Sequence, residues 1–302
     1  MRIGVTGASG MLGTAILKTL SSDQRNRLLA TSRTKGFTSN RITWDCFDLK
    51  DQSSLKIWLT TNQPDAIIHC AAIVNVDTCE DHPLEAEKLH LHSTEIISEF
   101  IDKKDGRLIY ISTDSIYDGD AVSLHKETDN PNPKNYYSKT KLFGENSASQ
   151  IKNSLILRTN ILGWSSAGQN SFFEWILNNL NQKTSMNLFA DVFFSPVHVL
   201  HLSEIINIFL TNSIGGVFNC GSSDCLSKYQ FGIKVAEIFN LPKDKIVESK
   251  LENVDLKATR PKNMALCTDK LANTIKYKIP STDDVIDLLH NEYKNSLNVQ
   301  TL

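Results

Sequence analysis

Three features of the 302-residue chain predict an α/β fold, a doubly wound parallel sheet with a smaller C-terminal lobe. Short apolar segments alternate with helix-period segments through the first half. A glycine-rich turn, Thr6-Gly7-Ala8-Ser9-Gly10-Met11-Leu12-Gly13, follows the first apolar segment at once. The alternation then stops after Arg158, where turns and aromatic-rich stretches take over. Repeated βα units of this kind pack as a parallel sheet with helices on both faces and bind ligands at the carboxyl ends of the strands.

Taken in order, Ile3 to Thr6 reads as a strand and Met11 to Leu20 as the helix opened by the glycine turn. Leu28 to Thr31 is a strand and Asp51 to Thr60 a helix. Ala66 to Cys70 is apolar on both faces, the pattern of a strand buried in a parallel sheet. Leu84 to Lys103 reads as one long helix closed by the Asp105-Gly106 turn. Leu108 to Ser112 is a strand, Tyr136 to Ser149 a helix and Leu155 to Leu157 a further strand. Beyond Arg158, Ser171 to Leu180 and Ser203 to Leu210 are helical in pattern, Ser195-Pro196 is irregular and Gly216 to Cys220 is another strand. The division that follows is a nucleotide-binding domain over 1–158, to which 190–220 returns, and a lobe made of 159–189 and 221–302.

Apolar residues make up 40 % of the chain and charged residues 22 %, with a formal net charge of -2. That balance gives no electrostatic reason for nucleic acid or an anionic membrane as partner, and points to small molecules. No apolar run approaches the roughly 20 residues that cross a bilayer. The expected first strand begins at Arg2, leaving no room for a signal peptide, and the cytoplasm is the expected compartment. The six cysteines contain no CxxC pair and are expected as free thiols. His198 with His201, and His90 with His92, lack a completing cysteine or carboxylate, so no metal site is expected. Homodimerisation is left open.

In the glycine turn, Gly7 permits the sharp bend, Gly10 lets backbone approach a pyrophosphate and Gly13 lets helix and strand pack closely. The amino terminus of the following helix then offers N–H groups to the anion, with Ser9, Met11 and Leu12 in the cradle. NAD sites place an acidic residue about 20 residues beyond the glycines, on the ribose hydroxyls. Here that region reads Thr31-Ser32-Arg33-Thr34-Lys35, with no acidic residue between Leu28 and Arg41. Arg33 can pair bidentately with a 2′-phosphate and Ser32 can donate to it, so NADP(H) is the predicted cofactor.

Ser112-Thr113-Asp114 falls at a strand's carboxyl end, and Tyr137-Ser138-Lys139-Thr140-Lys141 inside the next helix. Positions i and i+4 share a helix face, so the Lys141 ammonium is expected beside the Tyr137 phenol, lowering its pKa towards working pH. Thr113 would steady the substrate oxygen while hydride moves. Arg158 is expected as an internal ion-pair partner, and Phe172, Trp175 and Ile176 as the core of the lobe.

These stretches together resemble the extended short-chain dehydrogenase/reductase family, and within it the dTDP-4-dehydrorhamnose reductase branch. The likeness runs over most of the chain: the TGASGMLG turn, Ala71-Ala72, Val76 to Glu80, Ser112 to Gly119, Lys126 to Pro133, Tyr136 to Glu145, Leu157 to Thr159 and Ala258 to Asn263. The resemblance implies Thr113, Tyr137 and Lys141 as the catalytic triad, with Tyr137 and Lys141 also touching the cofactor. It implies Asp48 and Leu49 beside the adenine, and Cys70, Ala71 and Ala72 along the sugar–phosphate path. It implies a nucleotide-linked keto sugar as substrate, reduced by a nicotinamide, with Val76, Asn160 and Arg260 as candidate contacts. Arg260 reads equally as a pyrophosphate ligand or as the cap of the turn before Pro261. Departures lie in the substrate half: His90 stands where the branch usually has Asn, Asn160-Ile161 where it tends to carry Ser-Trp, and Asp191 to Val197 replaces Asp-Gln-x-Gly-x-Pro-Thr. Two other readings remain beside reduction: epimerisation or dehydration with retained cofactor, and a nucleotide-binding regulatory subunit without catalysis.

Overall fold

The computed structural model describes residues 1–165 and 171–300, with side chains through 296. Positions 166–170 and 301–302, which the sequence assigns to the lobe, lie outside the described residues. The first elements are β1 (Arg2–Thr6), α1 (Met11–Ser21), β2 (Arg27–Ser32), β3 (Ile42–Cys46), α2 (Gln52–Asn62) and β4 (Ala66–His69). They are followed by α3 (Val76–Asp81), α4 (Pro83–Glu87), α5 (Ser93–Asp102), β5 (Arg107–Ile111), α6 (Tyr136–Ser149) and β6 (Ser154–Thr159). Then come β7 (Ile161–Leu162), α7 (Phe172–Asn181), β8 (Met186–Phe189), β9 (Phe193–Phe194), β10 (Val197–His198), α8 (Val199–Asn212) and β11 (Gly216–Cys220). The chain ends with β12 (Leu226–Ser227), α9 (Lys228–Ile238), β13 (Ile246–Ser249), β14 (Asn263–Met264), α10 (Asp269–Ile275) and α11 (Thr282–Gln300).

Seven strands form one parallel sheet in the order β11-β6-β5-β4-β1-β2-β3. The order reverses direction between β1 and β4, which opens a crevice above the carboxyl ends of those strands. β1, β4, β5 and β6 are apolar on both faces because both are covered. Leu12, Ile16 and Leu20 of α1 pack with Leu202, Ile205 and Phe209 of α8 on one side. Leu55 and Trp58 of α2, Ile97 and Ile101 of α5 and Ala148 of α6 cover the other. The doubly wound sheet is therefore as predicted. β3, at the sheet edge, contains no fully buried residue, which is why no apolar run marks it.

A separate core joins α7, α9 and α11 through Phe173, Ile176, Leu180, Phe231, Val235, Ile286 and Leu289. Ile176 is buried there and Phe172 packs at its margin, but Trp175 is 40 % exposed. Leu271 and Ile279 pack into the core of the main sheet instead. Two short parallel ladders, β13 on β8 and β14 on β9, occur where the sequence shows no parallel-sheet pattern.

The long helix expected over Leu84 to Lys103 is broken. α4 and α5 are joined by one π-helical turn, Lys88–His92. That turn lies against α6 at Gly144, where a Cβ would strike the His90 carbonyl and the Tyr110 hydroxyl. A π-turn leaves the apolar spacing nearly unchanged, so periodicity does not reveal it.

Candidate active site

The glycine turn is shaped for an anion by its backbone. Gly7 has φ +62°, and a Cβ there would stand 2.8 Å from the Ala71 nitrogen. A Cβ on Gly13 would run into Gly7 and Ala8. Gly10 is the N-cap of α1, no side chain caps the helix and no acidic residue lies in its first turn. The first-turn N–H groups, from Met11 and Leu12 onward, therefore face an N-terminus built for a negative ligand.

Two buried histidines that no motif marks hold the loop beside this turn. Ser93 gives its proton to the Leu89 carbonyl, so its oxygen accepts from His69 Nε2 at 3.2 Å. His69 Nδ1 then accepts from Thr6 Oγ1 at 2.6 Å, and Thr6 Oγ1 faces the Ala71 N–H at 3.4 Å. Burial, with the Lys141 charge adding to it, holds His69 down to about 3, so it is neutral. His90 Nε2 accepts the Ile73 N–H at 2.9 Å, which makes Nδ1 the protonated nitrogen, facing Thr140 Oγ1 at 2.8 Å. The Thr140 hydroxyl in turn donates to the Tyr136 and Tyr137 carbonyls. The path Cys70-Ala71-Ala72 is thus tied to β1 on one side and to α6 on the other.

At the carboxyl ends of β2 and β3, Arg33 is exposed while Ser32 is buried. The Ser32 hydroxyl donates to the Thr34 carbonyl at 2.5 Å, so its proton is held by its own loop and not presented outward as the sequence suggests. Asp48 is half-buried beside Lys50, and Leu49 is buried.

Thr113 follows β5 and caps a short 3-10 turn, accepting the Ser115 N–H at 3.2 Å and donating to Asp114 Oδ1 at 3.2 Å. Tyr137 is half-buried at the mouth, its ring edge-on to His90 at 5.8 Å. Burial raises the phenol well above its ordinary value; the Thr113 hydroxyl pulls it back, and Asp114 and Cys79 push it further up. Lys141 is buried, donates to the Ile111 carbonyl at 2.7 Å and lies 4.2 Å from the centre of the Tyr110 ring. The phenol's pKa is therefore raised and not lowered as expected, because burial outweighs the neighbouring groups; the Lys141 ammonium itself is held by the end of β5, the acceptor a buried charge needs. Burial holds Lys141 down to about 7, with Cys70 and Glu145 acting the other way.

One turn beyond Lys141, Glu145 binds Arg158 at 2.6 Å, with the two side chains only 4 % and 5 % exposed. Ser112 donates to the same carboxylate at 2.6 Å, and Arg158 also donates to the Tyr117 hydroxyl at 2.7 Å. Arg158 is thus the internal partner the sequence suggests. Glu145→Ala leaves a guanidinium buried without its carboxylate and is expected to cost about 3–5 kcal/mol in urea unfolding. A loss below about 1 kcal/mol would place the pair among the negligible ones.

On the lobe side Asn160 donates to Asp114 Oδ2 at 2.7 Å, one residue from Thr113. Val76 is the first residue of α3 and is part-buried. Arg260 forks onto Asp77 at 3.0 and 3.1 Å and also binds the Ala258 carbonyl, so it ties its own segment to α3. Its guanidinium already has an anion. The described residues contain no group of three metal-ligating side chains, and the six cysteines are free thiols. None of the described helices is long and apolar enough to cross a membrane.

The model of the RmlD substrate binding domain family matches residues 1–294. The chain belongs to that family. Among its relatives, the probable low-salt glycan biosynthesis reductase Agl14 of Haloferax volcanii is 25 % identical over 300 residues, covering 96 % of this chain and 98 % of that protein. Methionine adenosyltransferase 2 subunit beta of Pongo abelii is 30 % identical over 282 residues, 89 % of this chain and 81 % of that protein. Among solved structures, a Bacillus anthracis dTDP-4-dehydrorhamnose reductase in complex with NADP superposes with a TM-score of 0.83 at 23 % identity, covering 96 % of this chain and 99 % of that one.

Proposed function

We propose that this member of the RmlD family reduces a keto group on a nucleotide-linked sugar with NADPH. The observation that carries the reading is the placing of Thr113, at the carboxyl end of β5, and of Tyr137 and Lys141, on α6 with Lys141 held by that strand end, on the same edge of the parallel sheet as the uncapped helix turn beyond β1. The names of the Haloferax relative and of the Bacillus protein solved with NADP support it. Gly10 leaves the backbone bare where pyrophosphate would rest, and Arg33 with Lys35 would take the 2′-phosphate. When bound, the cofactor supplies a hydride to the keto carbon.

The chain's own groups do the rest. Thr113 Oγ1 and the Tyr137 hydroxyl hold the keto oxygen, and Tyr137 passes its proton to that oxygen as negative charge develops. Lys141 holds the ribose and its charge offsets the phenolate left behind. Val76 and Asn160 border the sugar, and the lobe built on α7, α9 and α11 closes over it. The deciding test is absorbance decay of NADPH against a panel of 4-keto sugar nucleotides; no oxidation with any of them would remove the reading.

Cofactor choice is tested separately. Arg33→Ala is expected to lower kcat/KM for NADPH by about 10- to 100-fold, the scale of a lost charge-assisted pair, with NADH unchanged. Equal losses with both nicotinamides would take Arg33 out of the phosphate site.

A second reading is favoured by the Pongo abelii relative, whose name is that of a transferase subunit. In that reading the chain binds a nicotinamide nucleotide and attaches to another enzyme. Stable co-purification with that enzyme, and no NADPH oxidation on any keto sugar nucleotide, would favour it.

A further inference from the structure

The lobe carries a cation to which the mechanism above gives no task. Lys228 opens α9 directly after its N-cap Ser227, and its backbone N–H donates to the Val192 carbonyl at 2.9 Å. β12 pairs with β9, setting Leu226 opposite Phe194, so the next side chains lie over an aromatic strand. Lys228 Nζ stands 3.3 Å from the centre of the Phe194 ring and 4.4 Å from that of Phe172. Both rings pack on Phe231, at 5.4 and 5.8 Å.

Among the described residues no carboxylate lies within 4.0 Å of this ammonium, and Nζ makes no hydrogen bond to any of them. The charge that opposes it is Asp114, itself 1 % exposed and occupied by Asn160, Thr113 and Ser115. Burial holds Lys228 down to about 7, with Asp114 acting the other way. Asp114 is also the carboxylate whose field reaches the Tyr137 phenol. Lys228 and the phenol therefore flank one carboxylate at the mouth.

A cation in this place works against the fold. It is partly desolvated, and it sits at the positive end of a helix. The aromatic faces recover a part of that cost. An uncharged side chain of the same length would pack on Phe172 and Phe194 without it. Arg260, the sequence's candidate for an anion on this side, is already paired with Asp77.

We propose that Lys228 is the anion-anchoring residue of the substrate site, its ammonium binding an oxyanion of the nucleotide-linked sugar, whether of the diphosphate or of a carboxylate on the sugar. This rests on the reductase reading for the identity of the ligand, but not for the charge chemistry. An oxyanion above the rings would accept the three N–H donors that the described residues leave unused. It would do so in a site dry enough to strengthen the contact.

The test is calorimetric titration of the NADP⁺-loaded wild type, Lys228→Met and Lys228→Arg. The probes are inorganic pyrophosphate, dTDP, UDP, the nucleosides thymidine and uridine, and the pair UDP-glucose and UDP-glucuronate. The expected result is that Lys228→Met binds pyrophosphate and the diphosphates on the order of 10- to 100-fold more weakly, while Lys228→Arg retains most of the affinity. Nucleoside and NADP⁺ affinity should be unchanged in both variants. A loss confined to UDP-glucuronate, with UDP-glucose unaffected, also supports the inference and identifies the oxyanion as the sugar's carboxylate. Equal behaviour of wild type and Lys228→Met towards every anion overturns it, as does a parallel loss of NADP⁺ affinity and thermal stability. Failure of the reductase reading shows itself elsewhere, as absent NADPH oxidation while the dependence of anion affinity on Lys228 persists.

Discussion

Replacing Tyr137 by phenylalanine is expected to lower kcat by about 10²- to 10⁴-fold, the range for loss of a positioned acid. The substitution removes one oxygen and keeps the ring, so the edge-on contact with His90 remains and α6 is undisturbed. In the reductive direction the phenol must begin protonated. Burial raises its pKa, which keeps the proton in place throughout the neutral range and excludes a resting phenolate. The raised value also makes the phenolate that follows proton transfer costly, and this is where Thr113 and a nearby cation matter. Steady-state NADPH absorbance with the best keto sugar nucleotide reads kcat, and fluorescence titration reads NADPH affinity, which should stay unchanged. Turnover within about threefold of wild type would transfer the proton to another group.

How far the sequence foretells this site depends on whether a feature is local. The glycine turn is largely local: the contacts at Gly10 and Gly13 lie within one strand–turn–helix unit, while Gly7 is also pressed by Ala71 beyond β4, and all three stand where the motif puts them. The spacing of Tyr137 and Lys141 is likewise local, but where the ammonium points is not. Its partner, the Ile111 carbonyl, lies at the end of a strand 30 positions earlier in the chain. His90 was visible as a departure from the branch, yet its task of joining Ile73 to Thr140 depends on a π-turn that apolar spacing does not encode. Lys228 is the extreme case. Nothing beside it in sequence suggests chemistry, and only the pairing of β12 with β9 and the approach of Asp114 give it a role. Arg260 is the reverse case, a cation in a family-like stretch left open between two tasks, whose charge is spent on Asp77.

The strongest pH dependence is expected from Lys141. Lysine ordinarily keeps its proton to about 10, but burial disfavours the charged form here and brings the value to about 7. The sign follows directly. Below that pH the ammonium is charged and can offset the phenolate formed at Tyr137; above it the amine is neutral and the phenolate stands alone. kcat/KM for NADPH, which reports groups of the free enzyme, should therefore fall about tenfold per pH unit above about 7. Tyr137 does not produce this limb, because its own pKa is moved up. Lys141→Met should lose about 10²-fold or more at pH 6, where the wild-type residue is charged, and its remaining activity should show no such limb. Rates measured from pH 5.5 to 9 decide the matter. A wild-type profile that stays level across that span would mean that the charge on Lys141 takes no part in the chemistry, leaving the residue as a hydrogen-bonded support between α6 and the end of β5.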